Sequence, residues 1–432
     1  MSKKIILKKA TRVEGNANIH IEIADGRVET ARFMVQDFRG FEKFVQGRRI
    51  EFVPHLISRI CGLCSSSHQV ASLRGIEDGL DITPTQSTEA LRDVIALGEL
   101  IGSHALSYYY LSMPDQVGAP GGVFDLIKTH PDVMQEAIAL RKEGQEIVKL
   151  IGKRAVHPVS MGVGRFLVPP TKDEIKQAKH LAEKIMKRAF ELILKAEKIA
   201  LTSKRIFFPE NQQVNFVAFD GSSGPKKFHV YDIHGNKQQG FSIADFENNV
   251  SEMRADWSFA KFPYLAEYGF PSGIMLVGPL SRSFIKDGFL DDPELKNTAL
   301  ANKVDRTAPC LESYDTCRLL EIFWSGKKII HLLDSVDIED LDTPVDIKLS
   351  GQGIGVVEAP RGILVHSYLI NRGCIERMRL LVATQFNNPF INLLIRDIAE
   401  KHVQKDKIST EGDKLIGRCI RIFDPCLSCA TH

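Results

Sequence analysis

"DPCLSCATH", residues 424–432, closes the sequence on Cys426, Cys429 and His432. Chain ends usually fray, and reactive groups are seldom left on them. A second cysteine pair of the same spacing lies near the other end, in "RICGLCSSSH", residues 59–68, with Cys61, Cys64 and His68. A C-x-x-C segment brings two sulfurs within reach of one metal, and two such segments complete four-coordination. The spacing therefore predicts that both ends of the chain meet at one point. It leaves the occupant open: structural zinc, a nickel, iron or iron–sulfur centre, and a redox disulfide all suit four thiolates. Structural zinc generally staples a small local module. Here the pairs tie together a chain of 432 residues, long enough to bury a large core of its own.

Composition excludes several classes. The formal net charge is +2, so nothing electrostatic argues for a nucleic acid partner. Hydrophobic content of 44% and charged content of 25% are those of an ordinary globular protein, and no apolar run has membrane-spanning length. The first residues, "MSKKIILKKATRVEG", lack the long apolar stretch and cleavage site of a signal peptide. Eight cysteines are too sparse for a disulfide scaffold.

Alternation around Asp25-Gly26 predicts a β-hairpin over 17–35. From about residue 85, Leu91, Ile95, Leu97 and Ile101 fall at helical spacing, and 133–152 reads as another helix. The stretch 169–205 carries a Thr171/Glu174 capping box and an apolar stripe from Ile175 to Ile193. Residues 206–280 read as short strands and loops, 311–335 and 389–404 as helices, and acidic 337–346 as a solvated connection. The expected architecture is mainly α with smaller mixed α/β regions, a single domain over 1–432. Its core would be a long-helix bundle, with the N- and C-terminal segments packed together around the metal site. "GQGIGVVEAPRG" (351–362) hints at a nucleotide loop, but no helix pattern follows and the spacing is not G-x-G-x-x-G, so a nicotinamide site is rejected there.

Taken with "RVEG" (12–15), "FRGFE" (38–42), "VGPLSR" (277–282) and "EAPRG" (358–362), the two cysteine motifs closely resemble the large, catalytic subunit of nickel–iron hydrogenases, in order and spacing from end to end. "SHALSYYYLSMPD" and "EAPRGILVH" are most similar to the cytoplasmic branch, which couples hydrogen to soluble electron carriers. The resemblance implies reversible heterolytic cleavage of H2. It implies a nickel held by Cys61, Cys64, Cys426 and Cys429, with Cys64 and Cys429 bridging to an iron that carries carbon monoxide and cyanide. Cys426 would take the proton and Glu14 would relay it, while Arg361 would hang over the open face of the metals. Pro360 and Thr384 would line the pocket of the diatomic ligands, and Asp424 and His68 would support Arg361 and a cysteine sulfur. A magnesium ion would sit between Glu42, the Leu380 carbonyl and His432. Members of the family are usually made with a C-terminal extension that is cut after this histidine.

Two departures stand out. Position 103 is Ser where many members have aspartate near the arginine, and position 16 is Asn where His is common. Cys310, Cys317, Cys374 and Cys419 read as structural thiols, and no iron–sulfur motif is visible. An iron–sulfur small subunit is therefore the expected partner. Further subunits of flavin/NAD(P), ferredoxin or heterodisulfide-reductase type would follow it, in the cytoplasm. A hydrogen-sensing subunit, and the fold's quinone-site relative in respiratory complex I, are the competing readings; the retained cysteines argue against the second.

Overall fold

The computed structural model describes residues 3–200, 205–209, 212–221, 226–341 and 348–432. The fold is mixed α/β, 46% helical and 23% strand. Three antiparallel strands, β1 (Lys3–Lys9), β2 (Ala17–Ala24) and β3 (Arg27–Val35), open the chain. The β2–β3 turn at Asp25-Gly26 is the hairpin read from the alternation, with Asp25 and Gly26 both at positive φ.

Seven longer helices follow: α1 (Ser65–Gly79), α2 (Gln86–Leu106), α3 (Pro131–Gly152), α4 (Lys172–Ala200), α5 (Ser313–Asp334), α6 (Ala383–His402) and α7 (Thr410–Phe423). Helices α2, α3, α4 and α5 pack on one another. The α4 capping box is present. The Glu174 N–H donates to Thr171 Oγ1 at 3.2 Å, and the Thr171 N–H donates to Glu174 Oε2 at 2.7 Å. Of the expected helix over 169–205, residues 201–204 lie outside the described residues, as do 342–346 of the acidic connection.

Between α4 and α5, a small sheet orders Met275–Leu276, β4 (Asn215–Asp220), β5 (Lys227–Tyr231) and Phe241–Ser242. Near the C-terminus, β6 (Gly351–Ala359), β7 (Gly362–Asn371) and β8 (Cys374–Leu381) form an antiparallel sheet. Helix α6 begins at Ala383, six residues before Pro389, where the spacing had placed its start. The Gln385 side chain folds back to accept the Val382 N–H at 2.9 Å and supplies the missing N-terminal partner.

The glycines of 351–355 serve packing. An added Cβ at Gly353 would lie 2.0 Å from Gly79 N, and one at Gly355 would lie 2.0 Å from Ala71 O. Ala71, Gly75 and Gly79 recur every four residues on α1, and Gly351, Gly353 and Gly355 recur every two on β6. Four helical residues rise about 6 Å and two strand residues about 7 Å, so the two rows stay in register. Backbone lies on backbone, and any side chain would separate the elements. Gly355→Ala is expected to cost at least 1–3 kcal/mol through overpacking, roughly the usual range, and to lower the melting temperature. An unchanged melt would show that helix and strand can part freely.

Candidate metal centre

Cys61 and Cys64 lie on the turn that enters α1. The Leu63 N–H donates to Cys61 Sγ at 3.2 Å. The other pair is delivered by the end of α7. Asp424 caps that helix at φ 49°, a left-handed conformation that Asp tolerates better than most residues. The turn directs the last residues inward. There the Cys426 N–H donates to Thr384 Oγ1 at 2.9 Å and the Leu427 N–H to Glu14 O at 3.0 Å. The expected meeting of the chain ends is thus made by backbone hydrogen bonds as well as by sulfur.

The four cysteines are buried, with their sulfurs all within 4.8 Å of one another. Cys61 and Cys426 are 3.4 Å apart, Cys64 and Cys429 3.2 Å, and Cys426 and Cys429 3.0 Å. Hydrogen bonds from Cys426, Cys429 and Cys64 pull Cys61 well below the usual thiol range, while burial pushes Cys429 well above it. Four thiols so placed cannot all ionise unaided. A thiophilic cation that replaces their protons resolves the conflict, so the donor set fits such a metal.

His68 Nε2 lies 3.4 Å from Cys429 Sγ, and its Nδ1 lies 3.2 Å from His366 Nε2. His366 Nδ1 is 3.1 Å from the Tyr368 hydroxyl, which is 2.8 Å from Ser72 Oγ. Burial lowers His68 to about 4 and His366 well below its ordinary value, so both rings are neutral. One tautomer assignment satisfies every donor. Ser72 donates to Tyr368, Tyr368 to His366 Nδ1, His366 Nε2–H to His68, and His68 Nε2–H to the sulfur. His366 and Tyr368 were not singled out in the sequence, because their alternation on β7 reads as ordinary core.

Arg361 is fixed from one side. Its Nε donates to Asp424 O at 2.6 Å and its Nη2 to Asp424 Oδ1 at 3.0 Å. Burial opposes its charge, but Asp424 and the nearby sulfurs outweigh that and hold it well above the ordinary arginine range. Ser103 Oγ is 3.5 Å from Nη1. Pro360, Arg361 and Thr384 border a cavity of about 20 Å³ beside Cys64 and Cys426.

Glu14, half-buried, reaches the cluster directly. Its Oε2 is 3.2 Å from Cys426 Sγ and accepts the Ser428 N–H at 3.0 Å, and its Oε1 accepts from the Ser428 hydroxyl. A separate group gathers at the last residue. His432 Nδ1 donates to Cys429 O at 2.8 Å, and its Nε2 lies 3.6 Å from Glu42 Oε1. Leu380 enters this group through its backbone N–H, which donates to Glu42 Oε1 at 2.9 Å, and Lys261 Nζ stands 3.6 Å from Glu42 Oε2.

One supporting residue lacked a role in the sequence reading although its motif was noted. Arg282, of "VGPLSR", donates from Nε and Nη2 to Glu321 at 2.6 and 2.7 Å, and from Nη1 to Glu358 at 2.9 Å. Nη1 also donates to Ala359 O at 3.0 Å. It therefore ties down the loop that carries Arg361. Gly278 lies in the same contact at φ 112°, where a Cβ would sit 2.7 Å from Arg361 O.

A family model described as nickel-dependent hydrogenase matches residues 39–120 and 231–432. The chain is 32% identical to an F420-non-reducing hydrogenase chain of Methanothermobacter marburgensis, over 99% of this chain and 94% of that one. It is 30% identical to the beta chain of the NAD-reducing hydrogenase HoxS of Cupriavidus necator, over 100% and 95%. Among solved structures, an NAD+-reducing NiFe-hydrogenase in the H2-reduced state superposes with a TM-score of 0.88 at 26% identity, covering 100% of both chains. The chain belongs to the nickel-dependent hydrogenase family. It is the catalytic large subunit of a nickel–iron hydrogenase, an oxidoreductase acting on H2.

Arg282→Met leaves Glu321 and Glu358 buried without their countercharge. The expected loss is about 3–5 kcal/mol, read as a lower denaturant midpoint. An unaltered midpoint would mean that the pair is neutral in the folded protein.

Proposed function

We propose that Cys61, Cys64, Cys426 and Cys429 would hold a nickel–iron centre, Cys64 and Cys429 serving both metals, with carbon monoxide and cyanide as the iron's further ligands. When bound, that centre supplies the electrophile that polarises H2 and accepts its two electrons. The chain's own residues manage the proton. Cys426 Sγ, kept deprotonated by its metal, takes it and passes it to Glu14 Oε2 across 3.2 Å. That contact is the observation that carries the reading. Ser428 holds the carboxylate with both its N–H and its hydroxyl, and the partial exposure of Glu14 gives the proton a way out. Arg361, braced on Asp424, presents fixed positive charge to the cavity, where it can hydrogen-bond an anionic diatomic ligand. Pro360 and Thr384 close that cavity, and His68 steadies Cys429.

Glu42, His432 and the Leu380 carbonyl are proposed as the magnesium site, with the Leu380 N–H holding Glu42 in place. One carboxylate and one imidazole converge there, and a divalent cation would displace Lys261 from Glu42. The four packed helices are read as the core of one domain spanning 1–432. Two electrons per H2 must leave a buried centre. Among the described residues, no other group of three or more His, Cys, Asp and Glu side chains has metal-ligand spacing. An iron–sulfur small subunit is therefore the proposed partner, passing electrons to a flavin/NAD(P), ferredoxin or heterodisulfide-reductase-type subunit in the cytoplasm. No helix among the described residues is long and apolar enough to cross a membrane.

Anaerobically purified complex is expected to contain about one nickel per four-thiolate site, with carbonyl and cyanide stretches in the infrared. Zinc without those bands would return the cysteines to a structural role. Glu14→Gln is expected to fold and keep nickel while losing on the order of 10²–10⁴-fold in hydrogen turnover. Undiminished turnover would remove Glu14 from the mechanism.

A further inference from the structure

Ser103 offers Arg361 a hydroxyl where many members of the family have a carboxylate, but a carboxylate stands one helical turn away. Glu99 lies four residues before Ser103 on α2, on the same helix face. It points to the start of α1. Its Oε1 accepts the Ser66 N–H at 2.7 Å, and its Oε2 accepts the Ser67 N–H at 2.9 Å and the Ser67 hydroxyl at 2.6 Å. These N–H groups belong to the first turn of a helix and have no partner within it. The residue in the N-cap position is Cys64, whose side chain makes no cap hydrogen bond. A sulfur turned toward the cluster cannot also cap the helix behind it, so the capping oxygens come from the neighbouring helix.

The arrangement suits a carboxylate, because the N-terminus of a helix carries partial positive charge. Burial, only partly offset by the serine donors, pushes the Glu99 carboxyl up to about 7. A cavity of about 30 Å³, bordered by Gly62, Leu63, Glu99 and Ser103, adjoins the capped turn. It has room for a water molecule. One face of the α2 turn thus meets both the Cys61–Cys64 loop and, through Ser103, Arg361.

We infer that Glu99 is a positioning residue: by capping α1 from α2, it fixes the turn that carries Cys64 and His68. The inference rests on the hydrogenase reading for its spectroscopic test, but the cap can be tested without it. Three variants of the intact complex separate positioning from bulk stability. Glu99→Ala removes the cap. Glu99→Gln keeps its size but offers one acceptor oxygen and no charge. Thr85→Ala removes a comparable cap remote from the cysteines, since the Thr88 N–H donates to Thr85 Oγ1 at 3.1 Å at the start of α2.

Glu99→Ala is expected to shift the carbonyl and cyanide bands and to lower turnover per bound nickel about tenfold, the usual scale for a lost ligand support. It should also speed amide exchange at Ser66 and Ser67. Glu99→Gln should fall between Ala and the parent. Thr85→Ala should lower the melting temperature with bands and turnover per nickel unchanged. Parental bands, turnover per nickel and exchange in Glu99→Ala would overturn the inference, as would equal band shifts in Thr85→Ala. If Glu99→Ala does not fold, Glu99→Gln decides on the same readouts. Absence of nickel and of diatomic bands in the parent complex would sink the hydrogenase reading instead. The exchange rates at Ser66 and Ser67 would still judge the cap.

Discussion

Helix α1 and strand β6 touch backbone to backbone, and the metal centre is arranged around that contact. Cys64 and His68 stand at the start of α1. Pro360 and Arg361 follow directly from Ala359, the last residue of β6. With no side chains between helix and strand, the relative position of the first cysteine pair and the arginine is set by covalent geometry and van der Waals contact. Packed interiors yield little to small displacements. The second cysteine pair is then fitted to this frame by Asp424, Thr384 and Glu14, each through a hydrogen bond to or from the backbone near Cys426.

Buried charge around the cluster is handled in three ways. Arg361 is held against the carboxylate of Asp424, and Arg282 between those of Glu321 and Glu358. His68 and His366 are kept neutral by burial, so their chain of hydrogen bonds ends on a sulfur without adding charge. Glu14 is the acid with access both to a cysteine sulfur and to the partly exposed rim. On the proposed reading the proton leaves by Glu14, while His68, His366 and Arg361 keep their charge states.

Much of this could be read from residue order. The β2–β3 hairpin and the helices α2 to α5 announce themselves by strong periodicity, and α2 and α4 by side-chain caps as well, where local preference and tertiary packing agree. The four cysteines, Glu14, Arg361 and Asp424 were named from their motifs and do converge. What escaped depends on pairings distant in sequence. Nothing near Glu99 shows that the helix starting at Ser65 will need its oxygens. Arg282 is quoted only as part of "VGPLSR", because its partners Glu321 and Glu358 lie 39 and 76 residues further on. The glycines of β6 hint at a nucleotide loop that the spacing excludes, and residue order does not show that their partner is another backbone. The start of α6 was placed too late because Pro389 looks like a first-turn residue, whereas Gln385 caps the helix upstream of it.

The sulfurs of Cys61 and Cys426 meet across a separation of 365 residues. Contacts of that kind, like those of Glu14 with Cys426 and Ser428, close loops that take in most of the chain, so their entropic cost falls on the final stage of assembly rather than on any local element. The α1–β6 frame can present two sulfurs by itself, but four exist only when α7 has stopped at Asp424 and the last residues have docked beside Glu14. Full metal ligation is therefore a test of the completed topology. A chain whose last residues have not docked offers half a site, so occupancy by a metal that needs all four sulfurs would report that docking.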